Sequence, residues 1–269
     1  MWYRHWGLSR HPFDDTDSPY VPLPSHDEAS CRLVYSIERG HRQVIFRAEA
    51  GLGKTTVLHR AIAETRSPRR RVVLVRSPSD GIQLLGLIAE RLGHPVGRED
   101  GHHATWRALG RALRVASLHG FHVILAIDDW KDDSISTIAR DLNMLAHSGF
   151  GQEVRLTVIR VGRPLSAAQP EREEGWTLAI GLLRLTRSEV EDYLTAKLAV
   201  AGASERVFTP RAVTRLHGLS RGVPRGLEQL AALSLMAGAV RGLEVIPPDV
   251  VDGVARECRE FVSPANVWQ

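Results

Sequence analysis

Cysteine is almost absent from this chain: Cys31 and Cys258 are the only two in 269 residues. Two thiols so far apart make no disulfide framework, and buried or idle thiols are expected instead. Lysine is scarcer than composition alone suggests. Only Lys54, Lys131 and Lys197 occur among 35 basic residues, so arginine carries nearly all the positive charge. That bias follows a GC-rich genome as readily as selection for nucleic acid, and a formal charge of +4 does not by itself assign DNA binding. The one tight basic run, Arg69-Arg70-Arg71, precedes an apolar stretch and reads as a solvated strand entry. No window approaches ~18 consecutive apolar residues, so no transmembrane helix is expected. The N-terminal MWYRHWGLSRHPF lacks the apolar centre of a signal peptide, and a cytoplasmic location is expected. Nor does the chain contain His-x-x-x-His, a Cys/His ligand pattern or Gly-x-Ser-x-Gly. Zinc-dependent and serine-nucleophile hydrolysis therefore have no support.

What the chain does contain is a regular alternation. Short apolar runs at 43–47 (QVIFR), 71–75 (RVVLV), 122–127 (HVILAI), 155–161 (RLTVIRV) and 177–183 (TLAIGLL) read as buried strands. Segments 54–65, 81–92, 104–118 and 135–146 carry apolar residues at helical spacing between them. Strands separated by helices predict a parallel sheet covered on both faces. Residues 1–40 are first rich in proline, aspartate, serine and aromatics, then helix-like from about His26. Beyond about Leu185 only helices are predicted. Thr186 and Glu189 form a capping box before 190–200, Thr209-Pro210 opens a second helix, and 224–242 and 248–257 complete the set. The expected division is an N-terminal segment 1–40, an α/β core 41–185, a helical domain 186–262 and a tail 263–269.

The loop after the first strand reads Ala48-Glu49-Ala50-Gly51-Leu52-Gly53-Lys54-Thr55-Thr56. It matches the phosphate-binding (Walker A) pattern, with Ala48 in the leading glycine position. Gly51 and Gly53 permit the tight turn that aims backbone N–H groups at phosphate oxygens. Lys54 is placed to reach the β- and γ-phosphates, and Thr55 to offer its hydroxyl to magnesium. The N-terminus of the helix beginning at Lys54 adds partial positive charge. Ala50, Gly51, Leu52, Gly53, Lys54, Thr55 and Thr56 are accordingly assigned to ATP, with Mg2+.

A second signal is Val123-Ile124-Leu125-Ala126-Ile127-Asp128-Asp129, an apolar strand ending in two acids, the Walker B pattern. Asp128 is expected to hold magnesium and Asp129 to orient or deprotonate the attacking water. Arg225, in the turn Arg221-Gly222-Val223-Pro224-Arg225, is expected to sense the γ-phosphate. A cation at a helix start is electrostatically odd unless an anion sits beside it. Arg172 is a candidate arginine finger for a neighbouring subunit. Thr157, Arg160 and Arg163 are candidates for a polar sensor beside the acidic strand.

Together these motifs resemble the ExeA-type (general secretion pathway protein A) branch of AAA ATPases over nearly the whole chain. The resemblance is carried by Trp6-Gly7-Leu8-Ser9-Arg10-His11-Pro12-Phe13, by Ser25-His26-Asp27-Glu28-Ala29 and by Tyr35-Ser36-Ile37-Glu38-Arg39-Gly40. The phosphate loop, the acidic pair, Val161-Gly162-Arg163-Pro164 and Gly222-Val223-Pro224-Arg225 complete it. It implies an α/β P-loop NTPase (AAA+) fold, a three-layer parallel-sheet core with a helical lid, with ATP at their junction. Residues 1–40 would flank the adenine. The family typically has Asp-Glu where this chain has Asp128-Asp129, which bears on hydrolysis rate rather than binding. The resemblance further implies a homo-oligomer that remodels a protein partner, and any secretion role would work through that partner. Two alternatives stand beside it. One is a compact transposition-type regulator of the TnsC/TniB kind that assembles on duplex DNA with ATP. The other is a nucleotide switch that turns ATP over slowly.

Overall fold

The structure is a computed structural model that describes residues 1–13, 20–76, 81–95, 97, 101–130, 144–145, 154–164 and 177–258. The helix expected over 135–146 lies almost wholly outside them. The chain divides into two compact units. One comprises Asp27–Glu49 and Lys54–Leu182; the other joins Met1–His26 and Ala50–Gly53 to Leu183–Gln269.

The first unit is built on five parallel strands: β1 (Gln43–Arg47), β2 (Arg70–Arg76), β3 (His122–Trp130), β4 (Leu156–Gly162) and β5 (Thr177–Gly181). Their order is β2-β3-β4-β1-β5. Parallel neighbours need crossovers, and helices α1 (Pro24–Arg39), α2 (Lys54–Glu64), α3 (Gly81–Arg91) and α4 (His102–Leu118) belong to this unit or lead into it. Val123, Leu125 and Ile127 of β3 pack in one cluster with Leu84, Leu85 and Ile88 of α3 and Leu109 and Leu113 of α4. Strand residues alternate between faces. Ile124 and Ala126 therefore face the other side, where they are equally buried. The sheet is covered on both faces, which is why β3 reads as a continuous apolar run and not an alternating one.

A polar pair, His122 and Thr157, sits inside this core. His122 opens β3, is 3% exposed, and its Nε2 lies 2.9 Å from Thr157 Oγ1 on β4. Burial, then the charges of Arg155 and Arg70, lower its pKa from 6.5 to about 4. The folded state thus holds the ring neutral while the unfolded chain takes up a proton below about pH 6.5. Stability from this group is complete above pH 6.5 and is lost as pH falls toward 4, for a total of about 3 kcal/mol. Urea midpoints of the wild type should drop across that window, and His122→Gln should flatten the drop. An unchanged pH dependence in the variant would refute the assignment.

The second unit holds helices α5 (Arg187–Ala201), α6 (Pro210–Ser220), α7 (Pro224–Val240) and α8 (Pro248–Glu257). Their starts are explicit in the sequence. Thr186 and Glu189 form the expected capping box, the Thr209 side chain accepts from Ala212 N–H, and α6, α7 and α8 each carry proline in the first turn. The N-terminal 3-10 turn (Trp2–Trp6) docks on α7. Trp6 Nε1–H donates to Leu235 O at 2.9 Å, and Gly238 makes room for the indole. A Cβ on Gly238 would stand 2.8 Å from Trp6 Cζ2 and 2.3 Å from Ile246 Cδ1. Ser9 N–H donates to Ala201 O at 2.8 Å, tying the same segment to the end of α5. Lys197 of α5, nearly buried, is neutralised by Glu228 of α7 at 3.4 Å. Of the two cysteines, Cys31 is exposed and not buried, and both are free thiols.

Candidate functional site

The loop between β1 and α2 owes its shape to two glycines. Gly51 (φ 80°) and Gly53 (φ 90°) occupy the left-handed region, which a Cβ disfavours. Ala48 is not in that region and its side chain is buried, so the replacement of the leading glycine costs the backbone nothing. Lys54 opens α2 and bends back over the loop, its Nζ donating to Ala48 O at 2.8 Å and Glu49 O at 2.9 Å. Thr55 follows in the first turn, and Thr56 beside it is exposed.

Thr55 Oγ1 donates to Asp128 Oδ2 at 2.8 Å, so the loop and the acidic strand end meet. Asp128 is 4% exposed, and its other oxygen accepts from Asp129 N–H at 2.9 Å. Arg76 Nε on β2 stands 3.9 Å from Oδ2, leaving a buried carboxylate with a cation at its rim. A hydroxyl and a carboxylate are the oxygen donors that a hard divalent cation takes. Among the described residues no group of three His, Cys, Asp or Glu could hold a metal alone. A cation here would complete its shell with phosphate oxygens and water, which fits magnesium bound with a nucleotide.

Asp129 is unusual in its backbone. Its φ is 56°, it is exposed, and the β3–β4 register slips beside it: Ile127 pairs with Arg160, but Trp130 pairs with Gly162. One extra residue on β3 makes a bulge that re-aims the acid. Asp and Asn tolerate this conformation better than most residues, because their short polar side chains can bond locally. The bulge brings the Trp130 carbonyl against β4, and Gly162 receives it. A Cβ on Gly162 would lie 2.8 Å from Trp130 O. Gly162→Ala should therefore cost about 1–3 kcal/mol in urea unfolding. If Asp129 is catalytic, the same change should lower kcat at least about tenfold through misplacement. A variant with wild-type stability and kcat would show that the bulge is not held this way.

In the helical unit the Gly222-Val223-Pro224-Arg225 turn lies directly on the loop segment Ala50–Gly53. Arg225 N–H donates to Gly51 O at 3.3 Å, and a Cβ on Gly51 would touch Arg225 Cβ and Val223 Cγ1 at 3.0 Å. Gly222 (φ 72°) makes the turn possible, since a Cβ there would lie 2.2 Å from Leu185 O. The Arg225 side chain is exposed. His26, 5% exposed, places Nε2 2.8 Å from Leu52 O.

The other candidates separate. Arg172 lies outside the described residues. Thr157 is fully buried and bonded to His122, two residues into β4 and away from the acidic strand end. Arg160 donates to Gln43 Oε1 at 3.1 Å, and Arg163 O accepts from Arg47 Nη1 at 2.7 Å. The sequence reading passed over Gly162 as a site residue, and passed over Arg76 and His26 as contacts. Gly162 and His26 lay within motifs already noted, whereas Arg76 gave no signal.

A parallel sheet ordered β2-β3-β4-β1-β5, with a phosphate loop after β1 and an acidic end on β3, is the core of an AAA-type P-loop ATPase. Residues 38–169 match the family described as the AAA domain. The whole chain is 26% identical over 278 aligned residues to general secretion pathway protein A of Aeromonas hydrophila, of which it spans half the length. By these matches the chain is similar to the AAA ATPases of the secretion-protein-A type. Solved structures share its fold at low identity. Cdc6p of Pyrobaculum aerophilum has TM-score 0.67 and 17% identity, over 91% of this chain and 70% of that one. Aeropyrum pernix ORC1, in complex with DNA, has TM-score 0.67 and 18% identity, over 91% of this chain and 69% of that one. The RuvB Holliday junction branch migration motor of Thermotoga maritima has TM-score 0.56 and 16% identity, over 90% and 70% of the two chains. Among the described residues no helix is long and apolar enough to cross a membrane.

Proposed function

We propose that this AAA ATPase binds ATP with Mg2+ through Ala50, Gly51, Leu52, Gly53, Lys54, Thr55 and Thr56, hydrolyses it, and as a homo-oligomer rearranges a protein partner. The observation that carries this reading is the meeting of Thr55 and Asp128 beside a lysine that already caps the loop. Thr55 and Asp128 would hold Mg2+, which when bound neutralises charge on the phosphates. Lys54 orients and neutralises phosphate oxygens, and Asp129 accepts the proton of the attacking water. Arg225, whose main chain holds Gly51, couples the helical segment 186–262 to the nucleotide. The likeness to a secretion protein over half of its length supports a partner in an export apparatus. Arg172 remains the candidate finger between subunits.

A second reading, duplex DNA as partner, has one specific observation in its favour. Helix α4 carries no acidic residue, and Arg107, Arg111 and Arg114 recur on its exposed face. Phosphate contacts of this kind release counterions, so affinity would fall steeply with salt. Steady-state ATPase activity measured with and without duplex DNA separates the two. Turnover that ignores DNA favours the protein partner. Stimulation, or ATP-dependent assembly on DNA, favours the second reading and should weaken in the Arg107→Ala, Arg111→Ala double variant.

A further inference from the structure

His26 is buried, polar and unused by the chemistry above. It stands at the start of α1, 26 residues before the loop carbonyl it meets. Leu52 O can only accept, so Nε2 must carry the proton; in the neutral ring Nδ1 is then an acceptor, and Ser25 Oγ lies 3.3 Å from it. The ring also lies flush against the loop. A Cβ on Gly53 would come within 3.1 Å of Nε2.

We infer that His26 is a positioning residue that sets the Leu52–Gly53 peptide plane for phosphate binding, a role that rests on the ATP reading. In a planar trans peptide the C=O and N–H point in opposite directions. With Leu52 O held on His26, the Gly53 N–H is turned away from the ring. Arg225 N–H acts likewise on Gly51 O and turns the Leu52 N–H outward. A phosphate cradle needs successive N–H groups presented on one side. Glycines at 51 and 53 make the required conformation accessible, but they also make flipped planes accessible. The two hydrogen bonds remove that freedom before the ligand arrives, and preorganisation of this kind appears as affinity.

The test compares Mg-ATP affinity and steady-state kinetics of the full chain with His26→Gln, His26→Asn and His26→Leu. A glutamine amide nitrogen reaches about as far as Nε2, whereas an asparagine amide stops short. His26→Gln should bind ATP within about threefold of wild type. The Asn and Leu variants should bind about tenfold more weakly, with KM raised, kcat at saturation little changed and thermal midpoints within a few degrees. If His26→Leu does not fold, the Gln and Asn pair still decides. Equal affinity in Gln and Asn, or a loss in Gln as large as in Leu, overturns the assignment. Wild-type ATP binding abolished by Lys54→Ala but untouched at His26 would overturn this inference alone. No binding by the wild type would overturn the ATP reading itself.

Discussion

Replacing Lys54 with alanine should weaken ATP binding roughly 100-fold or more, as expected for loss of a charge-assisted contact to phosphate. The side chain is already bent over the loop, with Nζ on the carbonyls of Ala48 and Glu49. A bound polyphosphate would place anionic oxygens beside the same ammonium, a stronger contact than a neutral carbonyl makes. Alanine keeps the helical start at position 54, since it is a good helix former. The folded state should survive, with a thermal midpoint close to that of the wild type. Isothermal titration with Mg-ATP reads the affinity. Retained tight binding in a folded variant would sink the phosphate-loop assignment, and Lys54→Arg should recover only part of the loss because its planar fork is shaped differently.

The second large effect is expected at Asp129. Asp129→Asn should lower kcat about 10²- to 10⁴-fold, the range for loss of a general base, with ATP affinity nearly unchanged. The backbone makes this an unusually clean substitution. Position 129 has φ 56°, and asparagine tolerates that conformation as well as aspartate does. The amide that Asp129 donates to Asp128 Oδ1 is main-chain and is kept in the variant. Asp129→Ala would confound loss of the carboxylate with backbone strain. A longer acid is poorly placed for the same reason, since glutamate has less tendency toward left-handed backbone. The short acid at this position is therefore consistent with the bulge that presents it. An Asn variant that hydrolyses ATP at the wild-type rate would remove Asp129 from the chemistry and favour a different base.

Much of the architecture was legible because it is local. Strand 43–47 is the observed β1, and helix 248–257 is the observed α8, as its proline start implied. The capping box at Thr186 could be read from residues three apart. Strand β3 was legible only as far as Ile127, because an acidic pair does not look like strand; pairing of Trp130 with Gly162 extends it. Thr157 could be taken for a sensor by its place on the strand beside the acids. Tertiary contact instead gives it to His122 in the core. The ring proton of His122 is likewise a matter of burial between two arginines that are distant in sequence.

The sequence by itself determined that this chain has a phosphate loop. That loop needs glycine at two positive-φ positions, a lysine and a threonine, all within a few consecutive residues whose types a linear pattern displays. It also determined the parallel sheet, because strands buried on both faces must be continuously apolar. Only the tertiary structure decided how the loop is held and how the acid is aimed. Those depend on His26 meeting Leu52, Arg225 meeting Gly51, and Gly162 admitting Trp130. Each is a contact between residues far apart in the chain, made at distances of a few ångströms that hydrophobic periodicity does not encode.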